Sequence, residues 1–404
     1  MICTLLSYGQ TSTSEDSVTT KSGLKRLYNK VTTHLDDTHM KGLDSRYIEM
    51  PQYPWHVMVQ SSFRQTDLKM KSTLDGSQFP DGRPGEALDW EPRILTPLTT
   101  TVGVRVGYRG HGIGYSVNVG GDKGQNFTLS STGKFYYVNF NYHTFKTDEP
   151  TVKTTGTYWD DDTDEWVHET ETYRKGDVKL DAPIKARTMS LNALYFFNYK
   201  HFSYAAANSQ TFIQKRSAGS FVAGATLFHS KYDFVDDLNA FFIMLMNNAG
   251  CIKQWQANVG AGYAYNWVPA KGWLISGMAM PTLTVYNKIK VSLYDSQLAR
   301  NMKDPDFDDS RYWSDEDISD EDISDEDIQR YIHLIEDSKL ESLGKDTHYG
   351  RVTLNIDAHA AVSYQWDRYF ICANAHFNTF SYKYKNNDGR INDWSAQASF
   401  GVRF

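Results

Sequence analysis

Long stretches of this sequence alternate, residue by residue, between apolar and small or polar side chains. Between Trp255 and Trp267 every second residue is apolar, and the residues between them are Gln, Asn, Gly or Ala. Because successive side chains of a β-strand point to opposite faces, this period of two predicts a strand with two unlike faces. The pattern recurs in residues 98–108, 113–119, 136–142, 189–199, 352–366 and 394–404. We therefore predict an all-β, antiparallel fold of about 12 strands, within a range of about 10–14.

The character of the second face separates a membrane barrel from a soluble sandwich. In a sheet that faces water this face carries many charged side chains, whereas the Gly, Ser, Asn and Gln found here suit a confined polar lumen. Twelve residues separate Trp255 from Trp267 on the apolar face. At ~3.3 Å per residue and a tilt of about 40°, they lie roughly 30 Å apart across a membrane, close to the ~25 Å apolar band of transmembrane barrels. We predict one transmembrane β-barrel in a bacterial outer membrane, with girdle aromatics at Trp255, Trp267, Trp273, Trp366, Tyr369 and Trp394.

Charge and cysteine content exclude several other classes. The net charge is -7, so no basic excess indicates nucleic acid as a partner. The longest clean apolar run, Ala240–Met246, is far shorter than the roughly 20 residues of a membrane-spanning helix. The three cysteines are widely spaced and match no zinc, redox or disulfide pattern. We assign no cofactor, no catalytic residue and no metal ligand from these features.

Both ends of the chain carry features of an exported barrel. The start, "MICTLLSYGQ", resembles the tail of a secretory signal that lacks its charged front. We expect residues 1–10 to be a signal remnant, residues 11–50 a periplasmic segment and residues 51–404 the barrel. At the other end, the alternating positions Phe400, Val402 and Phe404 resemble the assembly signal of outer-membrane barrels. They predict that the barrel-assembly machinery recognises the last strand and that this strand closes the sheet onto the first.

The connections between strands are of two lengths. The segments "YRGHG", "YKHF", "WVPAKGW" and "WDRY" read as tight turns, while long outer loops are expected near residues 145–187, 231–253 and 288–349. Short turns on one side and long loops on the other are typical of a transmembrane barrel, whose belt contacts outer-membrane lipid.

Several segments resemble the Bacteroidota outer-membrane family known as domain of unknown function 4421. They are "LDSRYIEMPQYPW", "GIGYSVNVG", "YFFNYKHFSYAAA", "QKRSAGSF" and "NVGAGYAYNWVPAKGWLIS", in this order from about residue 43 onward. The resemblance implies an outer-membrane location and a single barrel. It carries over no catalytic residue, and the acidic insertion near residue 315 departs from the family pattern.

That insertion is a five-residue unit repeated three times, "SDEDISDEDISDEDI", from Ser314 to Ile328. Oxygen-rich clusters suit Ca²⁺, so divalent cations are one candidate partner of this loop. A period of five, however, brings no fixed set of carboxylates to one point, and the glycine of an EF-hand loop is missing. A solvated outer loop is therefore the favoured interpretation.

A two-residue turn at Asp367 and Arg368 would place polar side chains opposite each other in the lumen. In that register His359 faces His376 and Asp357 faces Asn378. Three interpretations stay open for this cluster: an ordinary wet lumen, which we favour, a transition-metal site, and a general base of a lipid-modifying enzyme.

Arg105 and Arg403 are also expected in the lumen, facing Asp357 and Asp393. Inside a small barrel such charges usually form a structural network, with a selectivity filter as the alternative. We favour a filled lumen, because Tyr137, Phe196 and His143 would point inward.

The sequence leaves three functions open. The favoured one is a non-enzymatic barrel with a structural, binding or narrow, porin-like transport role. The others are a membrane-embedded hydrolase or acyltransferase using the lumen histidines, and a surface adhesin or partner subunit of a secretion or uptake complex.

Overall fold

The computed structural model describes residue 33 and residues 40–404 except 79–82, 97, 121–123, 178–179, 181, 305, 307–308, 313–324, 351 and 385–386. The expected signal remnant, most of the expected periplasmic segment and most of the acidic repeat therefore lie outside the described residues. The chain divides into residues 1–43 and residues 44–404, and the second of these units contains all the strands named below. Among the described residues, no helix has the length and apolar character needed to cross a bilayer.

Strands dominate the described chain, and short helices lie between some of them. The strands are β1 (Ile48–Glu49), β2 (Trp55–Asp75), β3 (Ala87–Leu95), β4 (Thr99–Tyr108), β5 (His111–Gly120), β6 (Asn126–Thr132), β7 (Tyr136–Thr147), β8 (Thr151–Asp160), β9 (Glu165–Tyr173), β10 (Ile184–Phe196), β11 (Ile213–Gln214), β12 (Ala218–Asp233), β13 (Ala249–Trp267), β14 (Trp273–Asp295), β15 (Glu341–Tyr349), β16 (Leu354–Trp366), β17 (Tyr369–Tyr384) and β18 (Asn387–Arg403). The α-helices are α1 (Tyr204–Asn208), α2 (Ala240–Leu245), α3 (Gln297–Asn301) and α4 (Asp325–Asp337).

Twelve of these strands close into one antiparallel barrel, which confirms the predicted fold class. Their order around the barrel is β2-β4-β5-β6-β7-β10-β12-β13-β14-β16-β17-β18, and β18 pairs with β2 to complete the circle. The closing register places Val402 opposite Val57 and Ser399 opposite Gln60. Closure removes both sheet edges, so every strand of the barrel has a hydrogen-bonded neighbour on each side.

The two ends of the barrel differ. Strand β2 begins and β18 ends at one of them, the terminal end, where residues 109–110, 133–135, 268–272 and 367–368 make short turns. At the opposite end, the loop end, β3, β8 and β9 extend the sheet outward from β2, and β15 pairs with β14. Short turns at one end and longer connections at the other are typical of transmembrane barrels.

One predicted tight turn is wrong. Tyr199–Phe202, the segment "YKHF", begins a longer connection of residues 197–217 between β10 and β12, and this connection contains α1. Phe202 and Phe212, at 0% and 1% exposure, pack inside the barrel mouth. The connection therefore folds back into the lumen because it carries apolar side chains that a solvent-exposed hairpin turn would leave in water.

The loops at the loop end contain fewer residues than the sequence pattern suggests, because strands extend into the expected loop ranges. Strand β12 continues to Asp233 and β13 begins at Ala249, while β14 continues to Asp295. Strands β8 and β9 lie within the expected loop 145–187, and β3 occupies a connection that was not expected to contain a strand. In these extensions the outward side chains become polar, as at Lys253, so the apolar half of the alternation disappears while the backbone pairing continues.

The outer face carries the apolar belt. The six expected girdle aromatics are all well exposed, from 37% at Trp394 to 51% at Trp267, and they share the outward face with Val59, Val104, Val259, Ile371 and Phe400. Such a band is stable only against hydrocarbon, and closed antiparallel barrels are the strand architecture that satisfies every backbone polar group within a bilayer. The chain is therefore a transmembrane β-barrel of the outer-membrane type.

Candidate lumen site

The lumen is filled at both ends and hollow between them. At the loop end, α2 and inward side chains from β2, β10, β12, β14, β17 and β18 form a cluster of buried apolar residues. At the terminal end, residues 197–217 occupy the mouth. Between these two plugs lies a cavity of about 90 Å³, which we call the lumen chamber. Its lining is mostly polar and includes Gln60, Arg105, Ser130, Asn139, His359 and His376.

The strand pairing of β16 and β17 brings the predicted polar cluster to the chamber wall. Asp367, with a φ of 47°, turns the chain, and the register pairs His359 with His376 and Asp357 with Asn378, as the sequence predicts. Alternation along β16 directs Asp357 inward, and its side chain is almost completely buried. Asn378 is buried as well, but the carboxylate that contacts the two histidines is that of Asp357.

Asp357 contacts both imidazoles through one oxygen. Its Oδ1 lies 2.9 Å from Nε2 of His359 and 3.0 Å from Nε2 of His376. The contact to His376 has hydrogen-bond geometry, whereas Nε2 of His359 has no hydrogen-bond partner among the described residues. The two rings lie against each other with centroids 3.9 Å apart and planes tilted by 38°. One carboxylate oxygen thus lies between two adjacent imidazole nitrogens.

A tyrosine from the terminal-end plug completes the cluster, and sequence patterns did not identify it. Tyr204, the first residue of α1, has its hydroxyl 2.8 Å from Nδ1 of His359. Helix α1 is positioned by Ser203, whose side chain accepts a hydrogen bond from the Ala206 amide, and by Cys372, whose thiol lies 3.2 Å from the Ala207 carbonyl oxygen. A five-residue helix in a loop has no periodic signal, so only the three-dimensional structure reveals Tyr204 as a partner of His359.

The lumen arginines have partners other than those expected. Arg105 is buried, and its Nη2 donates to Ser130 Oγ at 2.7 Å, while no ion pair joins it to a described carboxylate. Arg403 donates from Nη2 to the Gln210 carbonyl and to Gln365 Oε1, so it ties the last strand to the terminal-end plug. Both arginines point inward as predicted, but the expected pairing with Asp357 and Asp393 is wrong.

Asp393 instead pairs with Arg64, at 3.4 Å, and accepts a hydrogen bond from Thr66. The physical reason is register: Asp393 lies opposite Thr66 across the closing seam, with Arg64 two residues along the same strand. This pairing depends on how β18 meets β2, which local alternation cannot specify.

The cluster suits metal binding or a structural network better than nucleophilic catalysis. A general base must direct one ring nitrogen at a nucleophile. Here Nε2 of both histidines faces Asp357, and Nδ1 of His359 faces Tyr204. Three of the four imidazole nitrogens are therefore already directed at protein groups. Carboxylate and imidazole are, however, common ligands of transition metals.

Comparison with known proteins gives a family and distant structural neighbours. The family profile described as "Domain of unknown function (DUF4421)" matches residues 42–404. No curated protein matches the chain.

Three solved structures illustrate the distant likeness. The outer membrane protease OmpT from Escherichia coli is 8% identical, with 87% of this chain and 97% of that chain covered and a TM-score of 0.36. The translocator domain of the autotransporter NalP from Neisseria meningitidis is 8% identical over 95% and 98%, with a TM-score of 0.32. The outer membrane protein OprG from Pseudomonas aeruginosa is 8% identical over 88% and 99%, with a TM-score of 0.21. The fold assignment rests on the strand pairing of the barrel, and no activity is carried over from these neighbours.

Proposed function

We propose that this chain, which belongs to the family of the domain of unknown function DUF4421, is a closed, non-enzymatic outer-membrane barrel. Its role would be structural or binding. In this proposal the lumen passes no continuous stream of ions or solutes. The proposal includes a Bacteroidota bacterium as the source of the protein, as the sequence resemblance implies. The observation that carries it is the filling of both ends of the lumen.

The loop-end plug is apolar and spans the lumen. The rings of Phe228 and Phe380 stack with centroids 3.9 Å apart, although β12 and β17 are not neighbours in the barrel. Phe242 of α2 lies 5.4 Å from Phe234 and 6.3 Å from Trp90, measured between ring centroids. Ions crossing this layer would have to lose their hydration among apolar side chains, which is costly.

The terminal-end plug is fastened to the wall by specific contacts. Ser209 bonds to Thr132 of β6 at 2.9 Å, and the Gln210 carbonyl accepts from Arg403 of β18 at 3.3 Å. The guanidinium of Arg403 also lies over the ring of Phe370, 4.8 Å from its centroid. Because these contacts reach strands on both sides of the closing seam, they favour a resident plug over a transient one.

The partners of such a barrel follow from its surfaces. The outward belt would contact membrane lipid, and the alternating residues Phe400, Val402 and Phe404 would present the last strand to the assembly machinery during insertion. The loop end would face the cell exterior, and the acidic composition of the repeat suits divalent cations as a partner. These assignments rest on the belt, on the terminal strand and on the composition of the repeat.

Planar-bilayer recording of the detergent-extracted protein tests the closed lumen. We expect no current steps from the wild type. A variant with residues 240–245 replaced by Gly and Ser should conduct, because the apolar layer loses its central helix. A matched variant with the exposed turn residues 161–164 replaced in the same way should stay silent. Steady conductance from the wild type, equal to that of the α2 variant, would overturn the proposal.

A further inference from the structure

The geometry points to a transition-metal site in the wall of the lumen chamber, formed by Oδ1 of Asp357, Nε2 of His359 and Nε2 of His376. The three residues can each offer one ligand atom within 4.8 Å of the other two. Two imidazoles and one carboxylate form a donor set used for divalent zinc and iron, with the remaining coordination positions open to water or another ligand. The site would bind a divalent transition metal in a barrel whose proposed role is structural or binding.

The spacing of the donor atoms fits coordination to one ion. Metal–nitrogen and metal–oxygen bonds of about 2.1 Å place neighbouring ligands at right angles about 3.0 Å apart. The observed separations from Asp357 Oδ1 are 2.9 Å to His359 and 3.0 Å to His376. Small adjustments of the side chains would therefore admit an ion, and no movement of the strands is required.

The present contacts leave buried polar atoms without partners. Asp357 is 2% exposed, yet its Oδ2 has no hydrogen-bond partner among the described residues, and neither does Nε2 of His359. A buried carboxylate is costly unless it is neutralised and fully bonded. A divalent ion would supply the charge that this carboxylate lacks and would use the lone pair of His359 that no described hydrogen bond uses.

The surroundings supply support for the ligands and room for water. Metal-bound histidines usually hold their second nitrogen in a hydrogen bond that fixes the ring and its tautomer. The hydroxyl of Tyr204 lies 2.8 Å from Nδ1 of His359 and could accept that proton. Both histidines line the lumen chamber, whose polar walls can hold ordered water. The site would thus couple metal binding to the position of α1 in the lumen.

Metal binding can be measured on the folded, detergent-extracted protein with Co²⁺ and Zn²⁺ after treatment with a chelator. Calorimetry and elemental analysis should give one ion per chain for the wild type. His376→Gln and Asp357→Asn should weaken binding by tenfold or more. His143→Gln, which removes another buried lumen histidine, should bind as the wild type does.

Tyr204→Phe keeps all three ligands and removes only the hydroxyl that supports His359. It should retain the stoichiometry and weaken binding by about 10–100-fold. A boiling-dependent shift in gel migration identifies the variants that have folded, and only these are compared. Absence of binding by the folded wild type, or equal binding by the wild type and the His376 variant, would overturn the site. Neither result would bear on conductance, so the proposed function is tested separately.

A different observation carries a second inference, on the outer face. Four basic side chains stand in one row across four neighbouring strands: Arg187 on β10, Lys231 on β12, Lys253 on β13 and Lys290 on β14. The register pairs Arg187 with Lys231, Lys231 with Lys253, and Lys253 with Lys290. We infer that this row binds the phosphate groups of an anionic lipid in the adjacent membrane leaflet.

The row lies at the edge of the apolar belt toward the loop end. Met189, His229 and Trp255 lie on the same outward face, each two positions closer to the terminal end than the row. The ring of Trp255 stacks on that of His229, with centroids 4.1 Å apart. Two positions beyond the row, the residues are Lys185, Asp233, Cys251 and Ser292, three of which are polar. A lipid whose acyl chains lie against the belt therefore places its headgroup at this height.

The arrangement requires negative charge from another molecule. Like charges directly opposite on neighbouring strands destabilise a sheet. Lys231 pairs with Asp233 at 2.6 Å, and this is the one ion pair of the row within the described part of the chain. Arg187, Lys253 and Lys290 thus have no ion pair with a described carboxylate, and phosphates fit guanidinium and ammonium groups well.

Native mass spectrometry in mild detergent with added phosphorylated lipid A tests this row. The wild type should retain the lipid, and the combined variant with Gln at residues 187, 231, 253 and 290 should bind at least tenfold more weakly. A charge-matched variant with Gln in place of the exposed lysines Lys153, Lys175, Lys271 and Lys339 should bind normally. Equal binding by the two variants, or equal binding of dephosphorylated lipid A by the wild type, would refute the inference.

Discussion

Trp55 and Phe404 exchange both of their backbone hydrogen bonds. The Trp55 amide donates to the Phe404 carbonyl at 3.1 Å, and the Phe404 amide donates to the Trp55 carbonyl at 2.9 Å. The first residue of the first barrel strand is thus bonded to the last residue of the chain. The aromatic terminal residue therefore does two things at once: it ends the outward apolar row of β18, and its backbone completes the closing seam.

Removing a ring from the loop-end plug should destabilise the barrel far more than removing its neighbour. Phe242 is 3% exposed in the apolar cluster, whereas Phe241 is 45% exposed. Phe242→Ala should lower the free energy of unfolding by about 3 kcal/mol, because it leaves a cavity. Urea unfolding in detergent, followed by tryptophan fluorescence, would measure both variants. Equal losses for Phe241→Ala and Phe242→Ala would contradict the placement of α2 in the lumen.

A charge in the middle of the belt should be poorly tolerated. Val259 is 45% exposed on the outward face of β13, so Val259→Arg would place a guanidinium against hydrocarbon at a cost of about 2–4 kcal/mol. Ala270→Arg, in the short turn after β13, lies outside the belt and should cost little. Folding yield into vesicles across a urea series would compare the two. If Val259→Arg folds as efficiently as Ala270→Arg, the belt does not face lipid.

The turn between β4 and β5 depends on a glycine. Gly110 has a φ of 86°, and a Cβ at this position would overlap the ring of Phe212 in the terminal-end plug. Gly110→Ala should therefore destabilise the barrel by about 1–3 kcal/mol through backbone strain and displacement of the plug. Gly277→Ala is the control, since a Cβ there would meet no atom within 4 Å. Thermal midpoints of the two variants in detergent should separate clearly, and coincident midpoints would count against the packed turn.

Alternation specified the closed barrel and even a local register, but it could not specify contacts between distant parts of the chain. The pairing of His359 with His376 follows from a two-residue turn, so sequence reasoning reached it. The pairing of Arg64 with Asp393 crosses the closing seam, and its residues are separated by most of the chain. Tyr204 reaches His359 from a plug whose position depends on the whole lumen. Where the outward residues are polar, as at Lys253, the strands continue without the apolar alternation by which a strand is predicted.

The closing seam itself can be tested by a designed disulfide. Ser62 of β2 lies opposite Gln397 of β18, so cysteines at these two positions should come within bonding distance. We expect the Ser62→Cys/Gln397→Cys variant to form a disulfide spontaneously in the outer membrane. Non-reducing electrophoresis after boiling would detect it as altered migration that a reductant reverses. If both new thiols remain free and react with maleimide while the unboiled protein still migrates as a compact species, β18 does not pair with β2 in this register and the twelve-stranded closed barrel is wrong.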